Sequence, residues 1–125
     1  KAALVCDALR MAIWLRQPPP GLIVHSDRGS QYASKAYRNL LKAYGFIGSM
    51  SRLGNCWDNA VAESIEGSLK QERCQWRHYQ TRYAAQQDIL QYISVFYNNQ
   101  RLHSYLDYKS PNQYEAEAAK SIKAA

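Results

Sequence analysis

Gly21-Leu22-Ile23-Val24-His25-Ser26 decides the fold of this chain. The run has no polar alternation, contains the β-branched pair Ile23-Val24, and is bounded by Pro18-Pro19-Pro20 before it and by Asp27-Arg28-Gly29-Ser30 after it. A short apolar run between turn signals predicts a central parallel strand covered on both faces. Upstream, Ala2 to Leu15 places Leu4, Val5, Ala8, Leu9, Met11, Ala12, Ile13 and Leu15 at helical spacing, which predicts a largely buried helix stopped by the prolines. Downstream, Ser34 to Tyr44 reads as a helix with Tyr37, Leu40, Leu41 and Tyr44 inward and Gly45 at its C-terminal cap. Phe46 to Ser51 reads as a second strand. Strand, helix and strand with short links make a parallel βαβ unit, whose crossover should be right-handed.

Further along, Arg52-Leu53-Gly54-Asn55-Cys56-Trp57 is a loop, and Asp58 or Asn59 is expected to cap a helix running to Glu72 or Gln75. An amphipathic helix spans Thr81 to Asn98, with Ile89, Leu90, Ile93, Phe96 and Tyr97 inward. Ser110-Pro111 opens a last helix toward Ile122. No repeat, low-complexity tract or internal boundary is visible, so residues 1–125 read as part of one domain. The chain starts at Lys1 with neither Met nor a leader-like segment, which reads as a piece of a longer protein.

Apolar content of 46% suits a globular fold, and no run approaches the roughly 18–20 apolar residues of a membrane span. Without a visible signal peptide, the expected compartment is the cytoplasm. Cys6, Cys56 and Cys74 are an odd set with no CxxC pair, so they read as reduced thiols rather than zinc ligands. Net charge is +6 and the pI is near 9.3, which favours a polyanionic partner. Two stretches interleave cations with rings: Arg73 to Arg82, with Trp76, Arg77, His78 and Tyr79, and Tyr97 to Lys109, with Arg101, His103, Tyr105 and Tyr108. Cations suit phosphates and rings suit bases, although a solvated basic face with half-buried aromatics has the same composition.

Asp27 follows the strand, where open α/β sheets place their sites, and Asp-Arg-Gly is also good turn chemistry. Glu63 lies in the first turns of the helix after Asn59, where the helix dipole favours a carboxylate. At about 100° per residue, Val61, Ile65 and Leu69 form a narrow apolar stripe, while Glu63, Glu66 and Lys70 share the opposite face. An ordinary surface helix with an i,i+4 pair from Glu66 to Lys70 reads the same way. Gly67 costs such a helix about 1 kcal/mol against Ala, which suggests that something approaches closely there. His25 reads as a hydrogen-bonded structural histidine. Clustered carboxylates in a basic protein suit a phosphodiester held with divalent metal. A metal pair needs a third carboxylate, and Asp7, in the first helix, does not fit that place.

The segments His25-Ser26-Asp27-Arg28-Gly29-Ser30-Gln31-Tyr32, Ser49-Met50-Ser51, Gly54-Asn55-Cys56-Trp57-Asp58-Asn59-Ala60, Ala62-Glu63-Ser64, Ser68-Leu69-Lys70, Tyr97-Asn98-Asn99-Gln100-Arg101-Leu102-His103 and Ser110-Pro111 together resemble one family. It is the integrase-like catalytic domain of bacterial insertion-sequence transposases, related to retroviral integrases, and the resemblance spans essentially the whole chain. It implies an α/β, RNase H-like integrase core, here N-terminally truncated to one βαβ unit plus flanking helices, with the first three strands and the first acid upstream. By that resemblance Asp27 is the second and Glu63 the third acid of a DDE triad, both binding Mg²⁺ or Mn²⁺. Lys70 is the basic residue that contacts transposon-end DNA, with Arg28, Asn59 and Arg101 as further DNA contacts. The implied partners are transposon-end and target DNA and further copies of the protein, in the bacterial cytoplasm and with no membrane. One departure is local: the family carries an aromatic or other bulky residue after Glu-Ser, where this chain has Ile65-Glu66, and Glu66 adds negative charge near the metal or DNA.

The leading expectation is therefore a fragment of a DNA-cutting and DNA-joining enzyme, inactive alone. The rivals are a non-catalytic remnant that at most binds DNA or an intact transposase, and a nuclease of the same fold.

Overall fold

The computed structural model describes residues 1–124, without the side chains of Cys56 and Ala124. Its contacts form two compact units, Lys1–Ser64 and Ile65–Ala125.

In the first unit, α1 (Ala2–Arg16) ends where Gln17 takes a left-handed conformation and donates its N–H to the Ile13 carbonyl at 2.7 Å. β1 (Ile23–Ser26) and β2 (Ile47–Met50) pair in parallel with Ile23 opposite Ile47 and Ser26 opposite Met50. Between them lie a single turn, α2 (Ser30–Ala33), and α3 (Lys35–Ala43), whose first turn is capped by Ser34 accepting the Tyr37 N–H. Gly45 has φ +70, the left-handed geometry expected just past a helix end. The βαβ reading is met, with both strands shorter than expected.

The core of this unit is Cys6, Tyr37, Leu41 and Phe46, with Val5, Leu9, Ile13, Val24, Tyr32 and Leu40 packed against it. Only one stripe of α1 has a partner, so the expectation of a largely buried helix is corrected: Leu4 and Trp14 are 72% and 75% exposed. The same holds for β1, whose residues alternate between exposed and half-buried because a two-stranded sheet has too few layers to cover both faces.

α4 (Ala60–Glu72) carries no buried residue, and Val61 and Ile65 of its expected apolar stripe are exposed. A Cβ on Gly67 meets open space, so nothing among the described residues approaches it as the sequence suggested. Nor does an ion pair join Glu66 to Lys70 among the described residues.

The second unit is built on tyrosines and ion pairs. α5 (Arg82–Gln91) is capped by Thr81, which accepts the Ala84 N–H, and runs on as a π-helix over Tyr92–Tyr97. The extra residue per turn shifts the inward face. Tyr92 and Tyr97 are buried, whereas Leu90 is 57% exposed and Ile93 also faces out, contrary to the constant helical period assumed from sequence. α6 (Pro111–Ala124) starts as read, with the buried Ser110 accepting the Gln113 N–H at 3.2 Å. Cys6 and Cys74 are free thiols, as expected, and the Cys56 side chain lies outside what is described. No helix of the described residues is long and apolar enough to cross a membrane.

Candidate functional site

Asp27 leaves the carboxyl end of β1 exposed to solvent, and its Oδ1 accepts the Gly29 N–H at 2.7 Å. Gly29 has an ordinary φ of −56, so conformation does not demand glycine here. Space does: a Cβ at this position falls 2.8 Å from Asp27 Oδ1 and 2.7 Å from Gln31 Nε2, both below contact distance. Glycine thus lets the carboxylate fold onto the backbone amide, which fixes one oxygen and leaves the other without a hydrogen-bond partner among the described residues.

Behind Asp27 runs a polar network. His25 Nδ1 lies 2.9 Å from Ser49 Oγ and Nε2 lies 3.2 Å from Ser51 Oγ, which makes it the structural histidine expected. Ser51, 4% exposed, donates its N–H to the Ser26 carbonyl at 2.9 Å, and its hydroxyl lies 2.8 Å from Asn59 Oδ1. A hydroxyl has a single proton, and the shorter contact assigns it to Asn59, so Ser51 Oγ accepts from His25 Nε2–H. Ser51 therefore joins the end of β1 to the segment that opens α4. Sequence reading places Ser51 within a family segment but gives it no role, although the two-residue period from Ser49, which stands opposite His25, is the signal.

The loop that follows is closed by Arg52 and Asp58. Asp58 Oδ2 accepts both the Arg52 N–H at 2.8 Å and Nε at 3.1 Å, while Oδ1 accepts from the guanidinium terminus at 2.9 Å. The Arg52 side-chain hydrogen bonds, then its backbone N–H, hold the Asp58 carboxyl down at about 2. This corrects the capping expectation. Asp58 is turned to Arg52, Asn59 to Ser51, and Asn55 caps the single 3₁₀ turn Cys56–Asn59 by accepting the Trp57 N–H at 2.9 Å. An open concavity of about 420 Å³ is lined by Asp27, Arg28, Ser51, Arg52, Asn59 and the intervening loop.

Glu63 is exposed in the first turn of α4, outside that lining. Asp27 and Glu63 offer hard oxygen donors of the kind Mg²⁺ and Mn²⁺ take, but no group of three or more His, Cys, Asp or Glu able to hold a metal ion occurs among the described residues. Arg28 and Lys70 are exposed and have no ion-pair partner among the described residues. Asn59 is half-buried on Ser51.

Apart from Arg82, the cations picked out by their aromatic neighbours are engaged internally. Arg101 pairs with Glu72 at 2.8 Å and stands over the Tyr97 ring, and Glu72 also accepts the Tyr92 hydroxyl at 2.6 Å. The guanidinium, ahead of the tyrosine, lowers the Glu72 carboxyl. Arg73 and Arg77 both reach Asp88, at 2.8 and 3.0 Å, and Tyr79 donates to the same carboxylate, which pushes its own phenol up to about 12. These residues hold the second unit together.

Two family models described as integrase core domain match the chain, one over residues 1–56 and the other over residues 63–118. The chain is 48% identical over 112 residues to the transposase for insertion sequence element IS904 of Lactococcus lactis subsp. lactis (strain IL1403), covering 90% of this chain and 44% of that protein. It is 45% identical over 114 residues to the transposase InsF for insertion sequence IS3A of Escherichia coli (strain K12), covering 91% and 40%. The chain thus spans less than half the length of these curated relatives. Among solved structures, it superposes with a TM-score of 0.69 and 15% identity on a chain of the cryoEM structure of a simian T-cell lymphotropic virus intasome in complex with PP2A regulatory subunit B56 gamma. That match covers 91% of this chain and 40% of the other, and it fixes the fold alone.

Proposed function

Because this chain belongs to the integrase-core family of insertion-sequence transposases, we propose that Asp27 and Glu63 are the second and third acids of a metal-dependent site that cuts and joins DNA. The observation that carries the reading is the Asp27 carboxylate, folded onto the Gly29 amide at a strand end beside an open concavity. Asp27 and Glu63 would hold Mg²⁺ or Mn²⁺, which when bound activates a water or 3′-hydroxyl and neutralises charge on the phosphodiester. Asp27 contributes a pre-oriented oxygen, since one arm is already fixed. Glu63 contributes a second carboxylate from the first turn of α4. Arg28, beside Asp27, and Lys70 are free to meet phosphates. Arg101 acts on Glu72 and serves DNA only indirectly. The active complex is an assembly of several copies on transposon-end and target DNA.

Asp27→Ala or Glu63→Ala in the complete transposase is expected to abolish strand transfer while leaving DNA binding intact; joining activity retained in either variant would sink the assignment. The alternative is a remnant that binds DNA or an intact transposase without catalysing. An upstream reading frame encoding three strands with an Asp on the first decides between them. A product assay that detects joined as well as cut DNA separates transposase from nuclease.

A further inference from the structure

Of the aromatic-flanked cations only Arg82 lacks an ion-pair partner among the described residues, and a cluster of unpaired ones lies elsewhere. Residues 28–57 contain Arg28, Lys35, Arg38, Lys42 and Arg52 and not one carboxylate. Three of these sit on α3, a helix with no acidic residue. Spacings of three and four residues bring Lys35, Arg38 and Lys42 onto one face, about 110° round the helix from the buried Tyr37 and Leu41. All three are exposed, and none has an ion-pair partner among the described residues. Arg52, by contrast, is closed on Asp58, as Arg73 and Arg77 are on Asp88, Arg101 on Glu72 and Lys109 on Glu117.

Such a face is locally unfavourable. Arg38 and Lys42 are a like-charge i,i+4 pair, which costs a helix about 0.2–0.5 kcal/mol. A polyanion turns that cost into a gain. The three cations extend about 10 Å along the axis, a length over which one DNA strand presents about three phosphates.

We propose that Lys35, Arg38 and Lys42 form a DNA-backbone surface on α3, distinct from the Asp27 concavity, that grips the phosphates of a duplex without reading its sequence. The proposal rests on the DNA-acting reading of the chain but not on the roles of its acids.

The test is equilibrium binding of a short mixed-sequence DNA duplex by the complete transposase across a salt series. Each phosphate contact adds about 0.9 to the slope of log affinity against log salt. The variant Lys35→Gln/Arg38→Gln/Lys42→Gln is therefore expected to flatten the slope by about 2.7. Between about 50 and 200 mM salt it should lose about 40-fold less affinity than the unaltered chain. Gln is a good helix former, and circular dichroism checks that α3 persists. A control, Arg82→Gln/Lys120→Gln/Lys123→Gln, removes equal charge elsewhere and should leave the slope near the original. The proposal is overturned by an unchanged slope in the α3 variant, by equal flattening in the control, by no duplex binding at all, or by preference for anionic lipid vesicles over DNA. Loss of strand transfer on altering Asp27 or Glu63 reports on the acids alone, so either idea can fail without the other.

Discussion

Gly29 shows how the orientation of the Asp27 carboxylate, proposed as catalytic, can depend on the absence of a methyl group. Its Cβ position is occupied by Asp27 Oδ1 and by the end of the Gln31 side chain, and both can swing away without disturbing the backbone. Gly29→Ala should therefore leave the fold nearly untouched, since the loss of unfolded-state freedom offsets part of the crowding. The melting midpoint is expected to move by no more than a few degrees. Strand transfer by the complete transposase should fall by about 10²-fold, because the carboxylate is pushed off the amide that orients it and small misplacements at a reacting centre are that costly. Equal activity in the alanine variant would show that the Asp27 orientation is set elsewhere. The sequence made Asp27 and His25 legible through their place on the strand. It did not reveal that Gly29 is needed for space, because Asp-Arg-Gly reads equally well as a turn.

Among the elements, those with strong local signals appeared where they were read. The βαβ unit, the Ser34, Thr81 and Ser110 helix starts and the Gly45 stop are all set by neighbours in the chain. The misread caps and the misread inward face both involve side chains claimed from outside their own helix. Asp58 and Asn59 have the chemistry of caps, yet Arg52 and Ser51 claim them. The π-helix at Tyr92–Tyr97 breaks the period on which the inward face was assigned and turns Tyr92 toward Glu72 and Tyr97 toward His103. That last contact has a consequence for pH. His103 Nε2 is buried without a hydrogen-bond partner, and burial first, then the Arg101 guanidinium, lowers its pKa below the ordinary 6.5, against a smaller opposing pull from Glu72. A histidine with a depressed folded pKa adds no penalty above 6.5. Below 6.5 the unfolded chain takes a proton that the folded one resists, so stability falls as pH falls. Denaturant midpoints should therefore drop as pH falls below about 6.5, and His103→Phe, which keeps a ring against Tyr97, should flatten that drop. The lowered carboxyls of Glu72 and Asp88 act in the same direction but only below their ordinary range. A slope that persists in His103→Phe would assign the effect to another group.

Across the whole molecule, the apolar surface left open is larger than a stable monomer carries comfortably. Leu4, Met11, Trp14 and Leu15 on α1 and Ile23 on β1 all have most of their area in water. The sheet has two strands, so each strand also keeps an unpaired backbone edge, a template for association with another chain. The open edges follow from a sheet of two strands, whereas the bare face of α1 was not legible in the sequence, because helical periodicity tells which residues are apolar and not whether a partner layer is present. Both features act together when residues 1–125 are made alone. Sedimentation velocity is expected to show concentration-dependent oligomers or aggregates, and an apolar dye should bind without denaturant. Replacing Trp14 by Lys should reduce the association without lowering stability, since that side chain is 75% exposed and packs on little. A monomer with a sharp two-state melt would mean that these surfaces are covered within the chain itself, and the two-stranded core would then have to be far more self-sufficient than its contacts indicate.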